Sequence, residues 1–279
     1  MININNLFKY SNKVFFIFIT ILLIHSFDHN FGWGLNQMLP NLYFITFGRI
    51  EEGWSKIVWD ENGIIENVQV LLLFLSIVVL LNSYLKLRFT QNAKYFKYFI
   101  LIELVGLTYF LLEEISWGQH FLNFKTFNFF LQTESFFYNQ QGETNLHNIS
   151  NLFNELPRSL VLIWCIVPIF LKNKITNNNN FLISAICPSK NLLMISFVIL
   201  FFVIPDLIIS KLNLIDYTNL HIIENGGFTK FNLKMLFLIT ISGNFFRLSE
   251  LQEFLYCYYF LWHSLFLSKY LFNKYYIKV

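Results

Sequence analysis

From Ile64 to Leu85 the chain carries a single charged side chain, Glu66. A run of ~20 such residues is the length that crosses the ~30 Å hydrocarbon core of a bilayer as a helix. Only a large protein core or lipid can bury a segment like this, and the rest of the sequence favours lipid. Of 279 residues, 55% are hydrophobic and 13% are charged, against about 25% charged in soluble domains. Similar runs occupy 14–27, 98–119, 157–171, 191–210 and 248–271. The expected fold is an all-α integral membrane protein with about six transmembrane helices. It is read as a single multi-pass domain over 1–279, with no separate soluble domain and with amphipathic helices in its outer loops.

Lys9 and Lys13 before the first run resemble the start of a secretory signal peptide. His25, Asp28 and His29 stand where a small-residue cleavage site would lie, so the run is read as a first membrane helix. The formal charge of +3, without a basic helix or an aromatic-basic patch, argues against nucleic acid as a partner. Cys165, Cys187 and Cys257 are scattered and odd in number, which supports neither a disulfide framework nor a thiolate metal site. Trp33, Trp54 and Trp59 in the segment 28–63 suit headgroup depth.

Basic residues give an orientation. Segments 1–13, 86–97, 172–190 and 269–279 hold twelve of the twenty Lys and Arg and none of the seventeen acids. The positive-inside rule then puts both termini in the cytoplasm. Every acid except Glu103 falls on the outer side. The stretch 233–246 is apolar but short for a span and is read as re-entrant or interfacial. In the loop 121–156, Leu146, Ile149, Leu152, Phe153 and Leu156 fall at helical spacing, which suggests a helix lying on the membrane surface.

Helix polarity sorts the outer acids. Helices two, four and six begin outside, where the dipole favours Asp60, Glu61, Glu66 and Glu155 by roughly 0.3–1 kcal/mol each. Ser249-Glu250-Leu251-Gln252 reads as a capping box, with Glu250 and Glu253 as an i, i+3 pair on one face. Glu113 and Glu114 differ, because they close helix three at the end where the dipole opposes them. Neither has a Lys or Arg three or four residues away. A partner must come from another segment, from a bound cation or from a proton. A continuous helix would align Gly106, Glu113 and His120, with Gly106 admitting a neighbouring helix. Ser116 and Gln119 belong to the same cluster, and Trp117 is read as a packing or interface anchor.

A second constellation is Gln141-Gly142-Glu143-Thr144-Asn145-Leu146-His147-Asn148. Glu143 and His147 stand at i, i+4, so on a helix both reach one metal or one orients the other. The plain alternative is a capped surface helix facing water. His25, His29 and Asp28 read as an interfacial cluster, and Asp206 lies near the outer end of helix five. His263 reads as a hydrogen-bonded core residue, and His221 sits alone in a polar loop.

Together, EEISWGQ at 113–119 and QGETNLHN at 141–148 resemble a group of bacterial multi-pass membrane proteins without an established activity. Asp60 to Glu66, as D-E-N-G-x-x-E, and the paired Glu250 and Glu253 fit the same pattern, which extends over about 58–272. His120 is usually Arg in that group, which speaks against a metal-ligand role for it. The resemblance implies one site shared by several segments of a bacterial membrane protein; the orientation read from the basic residues puts that site at the periplasmic face of the plasma membrane.

Three functional readings stay open. In the first, Glu113, Glu143 and His147 with Glu250 or Glu253 hold a divalent metal such as Zn²⁺ that activates water against a lipid or lipid-linked substrate. Glu114, Ser116, Gln119 and Asn145 would then position the substrate or the ligands. In the second, the cluster is a non-enzymatic polar network, structural or ion-binding. In the third, Glu113 is the proton or cation site of a transporter, against which the absence of internal repeats counts.

Overall fold

The computed structural model describes residues 3–31, 63–87, 90, 93–122, 124–135, 144, 146, 149, 151–171, 181–211 and 248–276. Regular structure among them is helical throughout: α1 (Ile4–Phe31), α2 (Ile64–Leu87), α3 (Lys94–Glu114), a 3-10 turn (Ser116–Gly118), α4 (Gln119–Leu122), α5 (Asn128–Leu131), α6 (Asn151–Leu171), α7 (Phe181–Ile186), α8 (Leu192–Lys211) and α9 (Leu248–Tyr275). The chain divides into two compact units, Met1–Ile65 with Val198–Glu253 and Glu66–Phe197 with Phe254–Val279.

In the first unit, Asn3 starts α1 by accepting the Asn5 and Asn6 amides on its Oδ1 at 3.1 and 3.4 Å. A side-chain oxygen there satisfies amides that the first turn leaves without a helical partner. Phe8, Phe15 and Ile19 form the buried stripe of α1, whereas Leu7, Val14 and Ile17 are exposed.

The second unit shows why the sequence reads as membrane. On α2, Gln69, Leu73, Ser76, Leu80, Ser83 and Leu87 are buried at alternating spacings of four and three. Such a narrow seam suits close packing against a neighbouring helix. Ser76 and Ser83 turn their hydroxyls back to the Leu72 and Val79 carbonyls at 2.7 and 2.8 Å, so neither brings an unsatisfied group into the seam. The opposite face exposes Leu71, Phe74, Val78, Leu81 and Leu85. On α3, Glu103 and Glu113 are buried along with Phe96, Ile100, Leu104 and Leu107, while Leu101, Ile102 and Val105 are exposed. Outward hydrocarbon and inward carboxylate is the arrangement that lipid selects. Both α2 and α3 are long and apolar enough to cross a membrane.

Thr90 links these two helices, donating to Leu87 O at 2.9 Å and accepting from Ala93 N at 3.3 Å. The α3 and α9 helices run antiparallel, with Phe96 beside Tyr270 and Tyr275 at one level and Phe99 beside His263 further along. Lys274 lies over the Phe96, Tyr270 and Tyr275 rings at 5.1, 5.5 and 5.7 Å. At this basic end, α7 contacts α3 through Phe181, which stacks on Tyr95 at 5.2 Å. The tract 172–190, expected as an inner turn, therefore contains a helix that returns against α3.

Several sequence expectations change in detail. Helix α1 begins at Ile4 instead of Val14, and α9 continues to Tyr275. Helix α3 stops at Glu114 instead of reaching Gln119, because the backbone turns left-handed at Ser116. Gly106, Glu113 and His120 are consequently not aligned on one helix. Among the described residues no atom lies within 4 Å of where a Cβ on Gly106 would stand, so it mediates no close helix approach there. The surface helix expected from Leu146 is also revised: Leu152, Phe153 and Leu156 belong to α6, while Leu146 and Ile149 form a turn closed by Ile149 N–H to Leu146 O at 3.1 Å. Residues 233–246 and most of 28–63 lie outside the described set.

Candidate functional site

The last turn of α3 ends with Glu113 and Glu114, and Ile115 closes it by donating to Leu111 O at 3.2 Å. Beyond it, Ser116, Trp117 and Gly118 have φ of 45°, 55° and 89°. Helices commonly end on one left-handed residue, usually glycine. Here two residues with side chains precede the glycine in that conformation, at roughly 1–2 kcal/mol each. The Gly118 amide closes the turn on Ile115 O at 2.8 Å.

This reversal brings the indole of Trp117 onto the preceding turn. Trp117 Nε1–H donates to Glu113 Oε1 at 2.7 Å. Glu113 Oε2 accepts the Leu146 amide at 2.8 Å, from a residue 33 positions away. Glu113 is 5% exposed, so these bonds replace water at a carboxylate that the helix dipole disfavours. Another segment thus supplies the partner that the local sequence lacks, and Trp117, expected as an anchor, is the other donor.

Gln119 extends the link. Its Oε1 accepts the Thr144 amide at 2.8 Å and also the Thr144 hydroxyl. Its Nε2 donates to Thr126 Oγ1 at 2.8 Å. Thr144 and Leu146 are two residues apart, so two successive outward amides of the loop are held by side chains from the end of α3. The structure therefore joins EEISWGQ to QGETNLHN through Glu113, Gln119, Thr144 and Leu146. Ser116 is buried, Glu114 is half-buried, and both make further interactions.

Beside the junction, Phe124, Phe127, Phe129 and Phe130 form a run of ring contacts at 5.8, 5.7 and 4.4 Å. Phe127, Phe129 and Leu131 remain exposed, an aromatic surface of the kind that sits at headgroup level.

Glu143, Asn145 and His147 lie outside the described residues. Glu250 and Glu253 stand in the first turns of α9, and only Glu253 has a described side chain. His120 is placed only as a backbone position in α4. Among the described residues, no three His, Cys, Asp or Glu are grouped to hold a metal. Of the Glu113 lone pairs, those facing Trp117 and Leu146 are already used by these described donors.

A second polar group lies inside the unit. His263 Nδ1 and Glu103 Oε1 are 2.7 Å apart, with side chains 0% and 2% exposed. His263 Nε2 donates to Ala185 O at 2.9 Å. His263 is thus hydrogen-bonded in the core, as its sequence position suggested. Its partnership with Glu103, across 160 residues, was not visible in the sequence. Both being ionisable within long apolar runs was the available signal. Close by, burial pushes the Cys187 thiol up to about 12, only partly opposed by its hydrogen bond to Ser189 O at 3.5 Å.

The chain matches no family model, no curated protein sequence and no solved structure.

Proposed function

We propose that this chain is a multi-pass protein of a bacterial plasma membrane, with six spans and cytoplasmic termini, and that its outer polar cluster is a loop clamp rather than a catalytic centre. The carrying observation is that both Glu113 oxygens accept protein N–H groups, from Trp117 and from the Leu146 backbone. A carboxylate used in this way holds a chain segment in place. Gln119 acts alongside it through Thr144 and Thr126. The clamp fastens the loop that carries Glu143, Asn145 and His147 to the end of α3. The exposed Phe127 and Phe129 support contact of the same region with the lipid surface. Membership of the group that shares EEISWGQ and QGETNLHN is part of this proposal, with the clamp as the common element.

A second reading is favoured by the backbone: consecutive strained residues, Ser116 and Trp117, beside a buried carboxylate are typical of reactive sites. In that reading Glu113, Glu143 and His147 hold a divalent metal such as Zn²⁺ for hydrolysis of a lipid-linked substrate. Metal analysis of the purified protein against Glu113→Gln and His147→Ala separates the two. Equal metal content in all three supports the clamp. A stoichiometric metal in the wild type that both substitutions remove overturns it in favour of the hydrolase.

A further inference from the structure

The Glu103–His263 pair belongs to a different part of the second unit from the clamp. On α3, Glu103 stands nine residues from Lys94 and eleven from Glu114, about 14 and 17 Å from the two ends at 1.5 Å per residue. It lies mid-span, where an ionisable group has no water to stabilise its charge.

The hydrogen-bond geometry counts the protons. Ala185 O can only accept, so His263 Nε2 carries a hydrogen. Glu103 Oε1 and His263 Nδ1 at 2.7 Å then require one hydrogen between them, on the ring or on the acid. In either placement the pair is neutral overall. Without that hydrogen, two lone pairs face each other and the pair carries one buried negative charge, an arrangement that a dry interior strongly disfavours. Phe99, Trp164 and Tyr259 wall the imidazole at 6.5, 6.1 and 6.0 Å between ring centroids. Among the described residues, the other titratable groups of this interior are Cys165 on α6, Cys187 after α7 and Tyr259 on α9, all of types that are uncharged at neutral pH. No lysine, arginine or second carboxylate in contact with the pair is described. Among the described residues, Glu103 Oε2 and Tyr259 Oη are buried without a hydrogen-bond partner. Buried polar atoms in folded proteins are mostly hydrogen-bonded, to protein, water or an ion, so such an atom is a place where a further partner fits.

We propose that Glu103 and His263 form a proton-binding site in the membrane interior, with the unpartnered Glu103 oxygen on the side where the proton is exchanged. The reaction is carboxylate plus neutral imidazole plus one proton giving the hydrogen-bonded neutral pair, a change of net charge from −1 to 0. Proton loss sets the ring lone pair against a carboxylate, which weakens the His263 position and with it the hold on Ala185 at the end of α7. The site is independent of the reading given to the outer cluster.

Full-length protein in lipid nanodiscs, wild type and Glu103→Gln, is compared by infrared difference spectroscopy on pH jumps. The amide introduced by this substitution can still donate an N–H to His263 Nδ1, so it keeps the link while removing the exchangeable proton. Expected is a carboxyl or carboxylate band that changes together with a histidine ring band in the wild type, both lost in the variant. The same bands in folded Glu103→Gln would overturn the proposal. If that variant does not fold, ring ¹⁵N spectra of histidine-labelled wild type decide. One histidine with Nε2 protonated throughout and Nδ1 passing from a hydrogen-bonded to a bare nitrogen as pH rises supports the site, whereas a set in which every histidine titrates as an exposed imidazole overturns it.

Discussion

Replacing Glu113 with Gln tests the clamp most directly, because the substitution keeps the size of the side chain and removes one acceptor. The resulting amide presents a single oxygen and a nitrogen to two N–H donors, Trp117 Nε1 and Leu146 N. One bond survives, and the other becomes a contact between two donors. A hydrogen bond to a charged acceptor contributes about 1.5–3 kcal/mol net, so the loop at Leu146 loosens by roughly that amount when its bond is the one lost. At 1.4 kcal/mol per factor of ten, the opening equilibrium shifts ~10- to 150-fold. Hydrogen-exchange mass spectrometry on peptides spanning 144–149 reads this shift, with exchange at the Leu146 amide rising by that factor. Trp117→Phe keeps a ring and removes only the Nε1 hydrogen, and its effect on the same amide should be smaller and non-additive with Glu113→Gln. Unchanged exchange at Leu146 in both a folded Glu113→Gln and a folded Glu113→Leu protein, the second lacking both acceptors, would refute the clamp.

Three further outcomes follow from the same geometry. Gln119→Leu removes the acceptor for Thr144 and the donor to Thr126; at ~1 kcal/mol per neutral bond, Thr144 amide exchange rises about fivefold, measured on the same peptides. Gly118→Ala places a side chain at φ 89° while its Cβ meets only Leu122 Cδ1 at an ordinary 3.6 Å; the cost is therefore conformational, roughly 1–2 kcal/mol, and shows as a lower thermal midpoint in detergent. The Cys187 thiol, pushed up to about 12 by burial, stays protonated at about pH 8; iodoacetamide should label it far more slowly than a free thiol, with mass spectrometry of the alkylated peptide as the readout.

The helices and the odd standing of Glu113 were legible in the sequence, because both depend on local properties. Apolar run length sets a span, and helix polarity is known once the direction of the chain is assigned, so an acid at a C-terminal end is marked without any tertiary information. The end of α3 was placed five residues late for an equally local reason: Ser116 and Trp117 carry no sequence signal for the left-handed region, and glycine at 118 was the only hint. The partners were not legible. Leu146 binds Glu113 through its backbone amide, which every residue but proline has, so no residue type could announce that bond. Glu103 and His263 meet because α3 and α9 lie antiparallel at one register, and Ala185 completes the group because α7 turns back beside them. Periodicity and composition determine which segments become helices; which buried polar groups then face one another depends on how those helices are arranged, and only the tertiary structure decides that.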